Sequence, residues 1–270
     1  MLTNERQEEL LRILLAQGTV AIADVSRRLG VSEMTVRRDL EHMEEEGLVQ
    51  RVRGGATISV RNDFELSFAR REMINRDLKR AIGLAAADLV HDGDRIALDG
   101  STTTVHVARN LRNRRNLTVV TNGIKVATEL GHIPDINLYL TGGTLRDSIS
   151  LVGPFATELA ERIHVEKLIF SVGGIDLDAG LTDGNVPDAE VKMAFLRNSS
   201  KHILVAASHK FGRRAFVSLC PLAQVHTIVT DAGIPPQYAS ALRERGIEVI
   251  IANADSRAVA DGKIEARPHE

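Results

Sequence analysis

One cysteine, no tryptophan and only nine aromatic residues (seven Phe, two Tyr) are spread over 270 residues. The single thiol, Cys220, cannot close an internal disulfide, and next to Pro221 without an evident base it reads as a small buried hydrophobe in a reducing cytoplasm. With so few rings, any core must rest on Leu, Ile, Val and Ala. No apolar run approaches the roughly 18 residues of a membrane span. The first residues, MLTNERQEELLRILL, carry Glu5, Glu8 and Glu9 where a signal peptide has a basic start and an apolar middle, so no secretion signal is expected. Neither charge dominates: 34 basic against 36 acidic residues leave −2. That balance argues against indiscriminate coating of nucleic acid but not against a small reading head. His106, His164, His202 and His226 lack HxxxH or His/Cys spacing, so no metal and no cofactor is expected.

What is present falls into two textures. Residues 1–57 read as three short helices and a hairpin. Residues 58–75 are polar, without clear strand alternation, and read as a linker. From 76 to 256, apolar strand-like runs alternate with amphipathic helices, the pattern of an α/β domain with a mostly parallel sheet. Strands are predicted at 95–99, 117–121, 136–141, 167–172, 202–206, 227–230 and 248–252, with helices near 102–111, 124–130, 155–163, 188–198 and 236–245. Residues 257–270 read as a frayed polar tail. Polar and glycine-rich clusters collect where strands end: DGSTTT at 99–104, TNG at 121–123, TGG at 141–143 and GGID at 173–176. Ligands of open α/β sheets bind beyond the carboxyl ends of the strands.

In the first 57 residues, Asn4 and Gln7 have capping-box spacing ahead of Leu10, Leu11, Leu14 and Leu15. Ile22, Val25 and Leu29 mark a second helix stopped by Gly30. Ser32 then caps a third, running to about Glu46 and stopped by Gly47. Val36, Leu40 and Met43 fall at i, i+4 and i+7, so that face is buried. The short glycine-containing turn between the second and third helices is that of a helix-turn-helix. A recognition helix presents its N-terminal residues to the major groove, which singles out Ser32, Glu33, Thr35, Arg37 and Arg38. LVQRVRGGATISV reads as a hairpin turning at Gly54-Gly55, a wing that offers Arg51 and Arg53 to DNA. The segment as a whole carries eight Arg against ten acids, but Asp39, Glu41, Glu44, Glu45 and Glu46 crowd the middle and far end of the third helix, away from its arginines.

The run VSEMTVRRDLEHMEEEGLVQRVRGGA resembles the signature of the DeoR family of bacterial transcriptional regulators, and the resemblance extends over about residues 1–250. It implies a winged helix-turn-helix followed by an α/β effector domain related to ribose-5-phosphate isomerases and CoA transferases. It further implies a homo-oligomeric repressor of a carbohydrate or polyol operon. Such a repressor binds a double-stranded DNA operator and is released from it by a phosphorylated sugar or polyol.

Read by itself, DGSTTT is a strand-to-helix turn whose backbone N–H groups and hydroxyls attract an anion, although an ordinary cap has the same composition. Neither GxxxxGK[ST] nor GxGxxG is present. The resemblance assigns Gly100, Ser101, Thr102 and Thr103 to a phosphate cradle, with Asp99 at the strand end. It assigns Thr121, Asn122 and Gly123 to a second loop, and Gly142 and Gly143 to a third. It also matches Asp188 and Lys192, spaced i, i+4, as an acid for sugar hydroxyls and a cation for the anion; Glu190 competes with Asp188. Lys210, in SHKFGR, faces the site by the same implication. Two rivals remain open. One is a sugar-phosphate isomerase using Asp99, Asp176, Asp183 or Asp188 as base, although the attached head favours a sensor without catalytic residues. The other is a DNA-binding protein whose α/β domain only oligomerises.

Overall fold

The computed structural model describes residues 3–45, 48–58, 68–146 and 149–253, and the chain divides into two compact units, Met1–Ile74 and Asn75–Glu270. Glu46 and Gly47, read as the end of the third helix, and the tail at 257–270 lie outside the described residues.

The first unit contains α1 (Thr3–Gln17), β1 (Thr19–Ala21), α2 (Ile22–Leu29), α3 (Glu33–Glu45), β2 (Val49–Val52) and β3 (Gly55–Ile58). Leu10, Leu11 and Leu14 of α1 pack with Val25 and with the predicted stripe Val36, Leu40 and Met43 of α3. Gly30 ends α2 in the left-handed region (φ 66°), which costs glycine little. The three strands form an antiparallel sheet in the order β1-β3-β2, so the wing is present with one strand more than expected. Three details correct the sequence reading. The α1 helix already includes Asn4, and Gln7 is no cap residue: it is buried and lies 3.5 Å from Asp39. Asp39 is not one of a row of solvated acids but is buried against Arg6 at 2.5 Å. The wing turns at Arg53-Gly54; Gly55 is already in β3, and a Cβ there would fall 2.0 Å from the Val20 carbonyl oxygen.

The second unit is a seven-stranded, all-parallel sheet. It comprises β4 (Arg95–Leu98), β5 (Leu117–Thr121), β6 (Ile136–Leu140), β9 (Val165–Phe170), β12 (Ser199–Val205), β14 (Thr227–Asp231) and β15 (Glu248–Ala252). The helices are α5 (Arg76–Ala87), α6 (Thr102–Asn110), α7 (Ile124–Leu130), α8 (Pro154–Arg162), α9 (Val186–Arg197) and α10 (Pro236–Glu244). The strand order β15-β14-β12-β9-β4-β5-β6 contains one reversal. From β4 the chain proceeds outward through β5 to β6, and from β9 it proceeds the other way. The switch point lies between β4 and β9, where open α/β sheets leave a crevice at their carboxyl ends. The core on one face joins Ala97, Val120, Leu168, Phe170 and Leu204 to Ala156 and Ala160 of α8, and to Ala189, Ala194 and Phe195 of α9. Small alanines let these helices lie close to the sheet in a protein poor in rings.

All seven predicted strands are present, with boundary shifts; the one that matters for the site is β9, which ends at Phe170 rather than Val172. The linker reading did not include α4 (Phe68–Met73), while residues 59–67 lie outside the described ones. Also unexpected are a hairpin of β7 (Thr144–Arg146) and β8 (Ser150–Val152), and an antiparallel sheet of β10 (Gly174–Asp176), β11 (Gly180–Asp183) and β13 (Val217–Cys220). Strands of three and four residues carry too little alternation to be told from turns.

Candidate functional site

In the first unit, the N-terminal half of α3 and the wing form the candidate nucleic-acid interface. The Ser32 hydroxyl accepts the Thr35 N–H at 3.1 Å and lies 2.9 Å from the Thr35 hydroxyl, so these two side chains cap the helix they were expected to present. Glu33 and Arg37 form an exposed pair at 3.2 Å. The guanidinium of Arg51 is held 2.8 Å from Glu41, and its backbone N–H donates to Glu44. Arg38 and Arg53 are exposed, and neither has an ion-pair partner among the described residues. They are the two candidate cations with charge left for a phosphate or a guanine. Sequence reasoning passed over Met34 and Val52, which are 57% and 49% exposed. An apolar residue on a recognition helix fits the methyl group of thymine, but in sequence it could not be told from a core position.

In the second unit Asp99, Lys192 and Lys210 come together at the switch point, and the loops after β5 and β6 lie further along the same carboxyl edge of the sheet. Asp99, fully buried at the end of β4, is held by four donors. Oδ1 accepts the Ser101 N–H (3.2 Å) and the Thr104 hydroxyl (2.9 Å). Oδ2 accepts the Ser171 N–H (3.1 Å) and lies 3.1 Å from Lys192 Nζ. Lys192 is itself buried, donating to Asp183 at 2.5 Å and to the Ser171 carbonyl at 2.9 Å. Burial opposes its charge, yet the carboxylates of Asp183, Asp99 and Asp188 hold its pKa above the ordinary lysine value. Lys192, which the resemblance makes a cation for the anionic ligand, is here bound between two acids, Asp99 and Asp183. Lys210 reaches the same centre, donating to the Ser171 hydroxyl at 2.8 Å.

Asp188 faces a second part of the site. It is held by Arg146 (2.7 Å), the Ser150 hydroxyl (2.7 Å) and Asn185 Nδ2 (2.8 Å). Burial would raise its pKa, but Lys192 and these donors prevail and lower it. Glu190 is exposed and on another face of α9. The Ser150 backbone bridges to Gly123. Gly100 and Gly123 meet backbone to backbone, since a Cβ on Gly123 would lie 2.7 Å from the Gly100 Cα. Asn122 Nδ2 donates to the Leu151 carbonyl at 3.2 Å, and the Thr121 hydroxyl accepts the Gly123 N–H at 2.9 Å. The third loop adjoins the second, with the Thr141 N–H bonded to the Thr121 carbonyl. Gly142 and Gly143 both have positive φ, and a Cβ on Gly143 would press 2.5 Å from the Val152 carbonyl oxygen.

Ser101 caps α6, accepting the Thr104 N–H at 3.3 Å. The N–H groups of Thr102 and Thr103, in the first helical turn, have no carbonyl four residues earlier in the helix and remain available to an anion. The Thr103 hydroxyl is buried without a partner among the described residues. Together these donors, with Lys210 and Arg146 beside them, can receive a phosphate and several hydroxyls. Proton abstraction is poorly served: both Asp99 oxygens are occupied, and Asp176 is taken up by Arg214 and the β10–β11 turn. Sequence reasoning missed Ser171, Arg146, Ser150 and Asn185 as site residues. Ser171 was placed inside β9, and the other three are brought in by the unexpected hairpin and by the α9 cap. Among the described residues no group of His, Cys, Asp and Glu could hold a metal ion, and no helix is long and apolar enough to cross a membrane.

Residues 6–62 match the family model described as the DeoR-like helix-turn-helix domain, and residues 74–232 match that of the DeoR C terminal sensor domain. The transcriptional regulator YulB of Bacillus subtilis is 37% identical over 250 residues, covering 92% of this chain and 96% of that protein. The transcriptional repressor CsqR of Escherichia coli is 35% identical over 256 residues, covering 94% and 97%. Among solved structures, ribose 5-phosphate isomerase A of Methanocaldococcus jannaschii matches 51% of this chain and 55% of its own, with 17% identity and a TM-score of 0.38.

Proposed function

This chain belongs to the DeoR family of transcriptional regulators, and we propose that it represses a carbohydrate or polyol catabolic operon until a phosphorylated sugar or polyol releases it from the operator. In this reading residues 1–57 bind double-stranded DNA, 58–75 link, and 76–256 sense the effector and associate into a homo-oligomer in the cytoplasm. Ser32, Glu33, Thr35, Arg37, Arg38, Arg51 and Arg53 form the DNA surface, with Arg38 and Arg53 contributing most. The relatives' names are those of regulators and repressors, and the chain is a regulator rather than an enzyme.

The observation that carries the effector reading is the clustering of polar and charged side chains around the carboxyl end of β4, at the switch point of the sheet. There the first turn of α6, Lys210 and Arg146 supply cationic and N–H donors, and Asp188 supplies an acceptor for hydroxyls. Asp99, Asp183 and Lys192 act as the floor that fixes these groups, and Thr121–Gly123 and Gly142–Gly143 are the loops around them. Release requires that the effector bind more tightly to the conformation with low DNA affinity.

The test is fluorescence anisotropy of the protein on the DNA upstream of its own gene, titrated with sugar and polyol phosphates. Release by one compound and not by its unphosphorylated parent is the expected result. Tight DNA binding that no phosphorylated compound disturbs would instead favour an α/β unit that serves only to oligomerise.

A further inference from the structure

The seven-stranded sheet ends at β6, which is hydrogen-bonded to β5 and to no other described strand. Proteins guard such an open edge with lysine, proline, a bulge or a covering segment, because its free N–H and C=O groups otherwise recruit another strand. Here the run from Ile136 to Leu145, INLYLTGGTL, has no charged residue and no proline. It also exposes Tyr139 (53%), Leu140 (42%) and Leu145 (52%). Phe155, in the first turn of α8, is 75% exposed. The two segments touch, since a Cβ on Gly143 would lie 3.1 Å from the Ala156 Cβ. The exposed apolar side chains thus lie on the edge strand, the hairpin and the first turn of α8, a surface whose parts meet at Gly143 and Ala156. Two of only nine aromatic residues stand exposed on it, and aromatic residues are those that protein interfaces concentrate.

We propose that this edge is the surface through which two copies of the chain associate about a two-fold axis, β6 pairing antiparallel with β6 of the second copy. The inference rests on the reading of the chain as a homo-oligomer and assigns the contact. An open strand edge is complementary to itself: under a two-fold axis each strand supplies the donors and acceptors that the other lacks. Charge agrees with this occupant. The nearest charged residue before the run is Asp135, and an antiparallel pair centred on Leu138 separates the two copies of it by roughly 20 Å at about 3.3 Å per residue. That exceeds the screening length in physiological salt. A parallel arrangement would set the two Asp135 carboxylates side by side.

The contact also adjoins the effector crevice. The β6 strand runs directly into Thr141–Gly143, and the hairpin beyond it carries Arg146, which holds Asp188. A ligand that engages Arg146 or Asp188 therefore acts next to the edge on which the second copy rests.

The experiment is sedimentation velocity on the full chain at micromolar concentration, comparing the parent with Tyr139→Lys and, on a separate element, Phe155→Lys. Both positions are exposed, and a thermal melt on each variant verifies that folding is unchanged. The parent is expected to sediment as a dimer or a higher even multiple, and each variant to weaken that association at least tenfold. Association of the parent and of both variants with equal strength overturns the assignment of the surface while leaving the homo-oligomer reading intact. A parent that stays monomeric overturns both.

Discussion

The two units hold their functional side chains in opposite ways. On the DNA-binding head Arg38, Arg53 and Met34 stand in solvent with little or nothing to hold them. In the sensor unit Asp99, Asp183 and Lys192 are buried and bonded to one another. A surface that meets a polyanion needs mobile charge and already has its shape. A crevice for a small molecule must be preorganised, and its residues then double as core. Substitution should therefore separate binding from stability in the head and confound the two in the sensor.

The largest effect tests the confounded side. Replacing Lys192 with Met leaves Asp99 and Asp183 buried without their cation. Breaking a buried pair costs about 3–5 kcal/mol, so denaturant unfolding of the sensor unit should shift by about that amount. A sensor that lost effector binding but kept its unfolding midpoint would show that Lys192 is a detachable ligand after all. Lys192→Glu is the harsher form, since it adds a third carboxylate.

Acid offers a second test of the same unit. The imidazole of His106 is buried, with Nε2 unpartnered among the described residues, and burial together with Arg109, Lys79 and Arg76 pushes its pKa down to about 4. The unfolded chain takes up this proton near pH 6.5 and the folded chain only near 4. The stabilisation is thus complete above about pH 6.5 and is lost as pH falls towards 4, on the order of 2–3 kcal/mol. Denaturant melts across that range should show the decline in the parent and a flatter profile in His106→Gln.

In the head, Arg38→Ala should reduce operator affinity by the equivalent of about 1–3 kcal/mol, while the melting curve moves by less than about 0.5 kcal/mol. Equal affinity in parent and variant, read by anisotropy, would displace Arg38 from the interface. The smallest effect belongs to Ser32→Ala, which removes the α3 cap and should cost about 1 kcal/mol of head stability. A variant with unchanged stability and weakened DNA binding would make Ser32 a contact rather than a cap.

Legibility followed the same division. The head could be read almost completely because each of its features is local: a 3.6-residue stripe, a left-handed glycine stop, a serine cap. What escaped there was Asp39 pulled inward by Arg6 from 33 residues away, β1 with its three residues, the burial of Gln7 in place of a cap, and a one-residue displacement of the wing turn. In the sensor, the strand ends and the α6 turn were visible for the same local reason. Ser171 was hidden by a two-residue shift in the end of β9, Arg146 by a hairpin too short for any periodicity. The partners of Lys192 were hidden too, because i, i+4 spacing points to Asp188 while the fold supplies Asp99, just past β4, and Asp183 of β11.

The contact between Gly100 and Gly123 has a mechanical consequence. Most neighbouring loops are separated by side chains that can swing and so absorb small displacements. Here backbone bears on backbone, and beyond Gly123 the bridge to Ser150 continues into the hairpin. There is no soft layer in that chain of contacts. A shift of the α6 turn by a few tenths of an ångström would meet no intervening side chain between Gly100 and Gly123, and the bridge from Gly123 leads straight to Ser150 of β8.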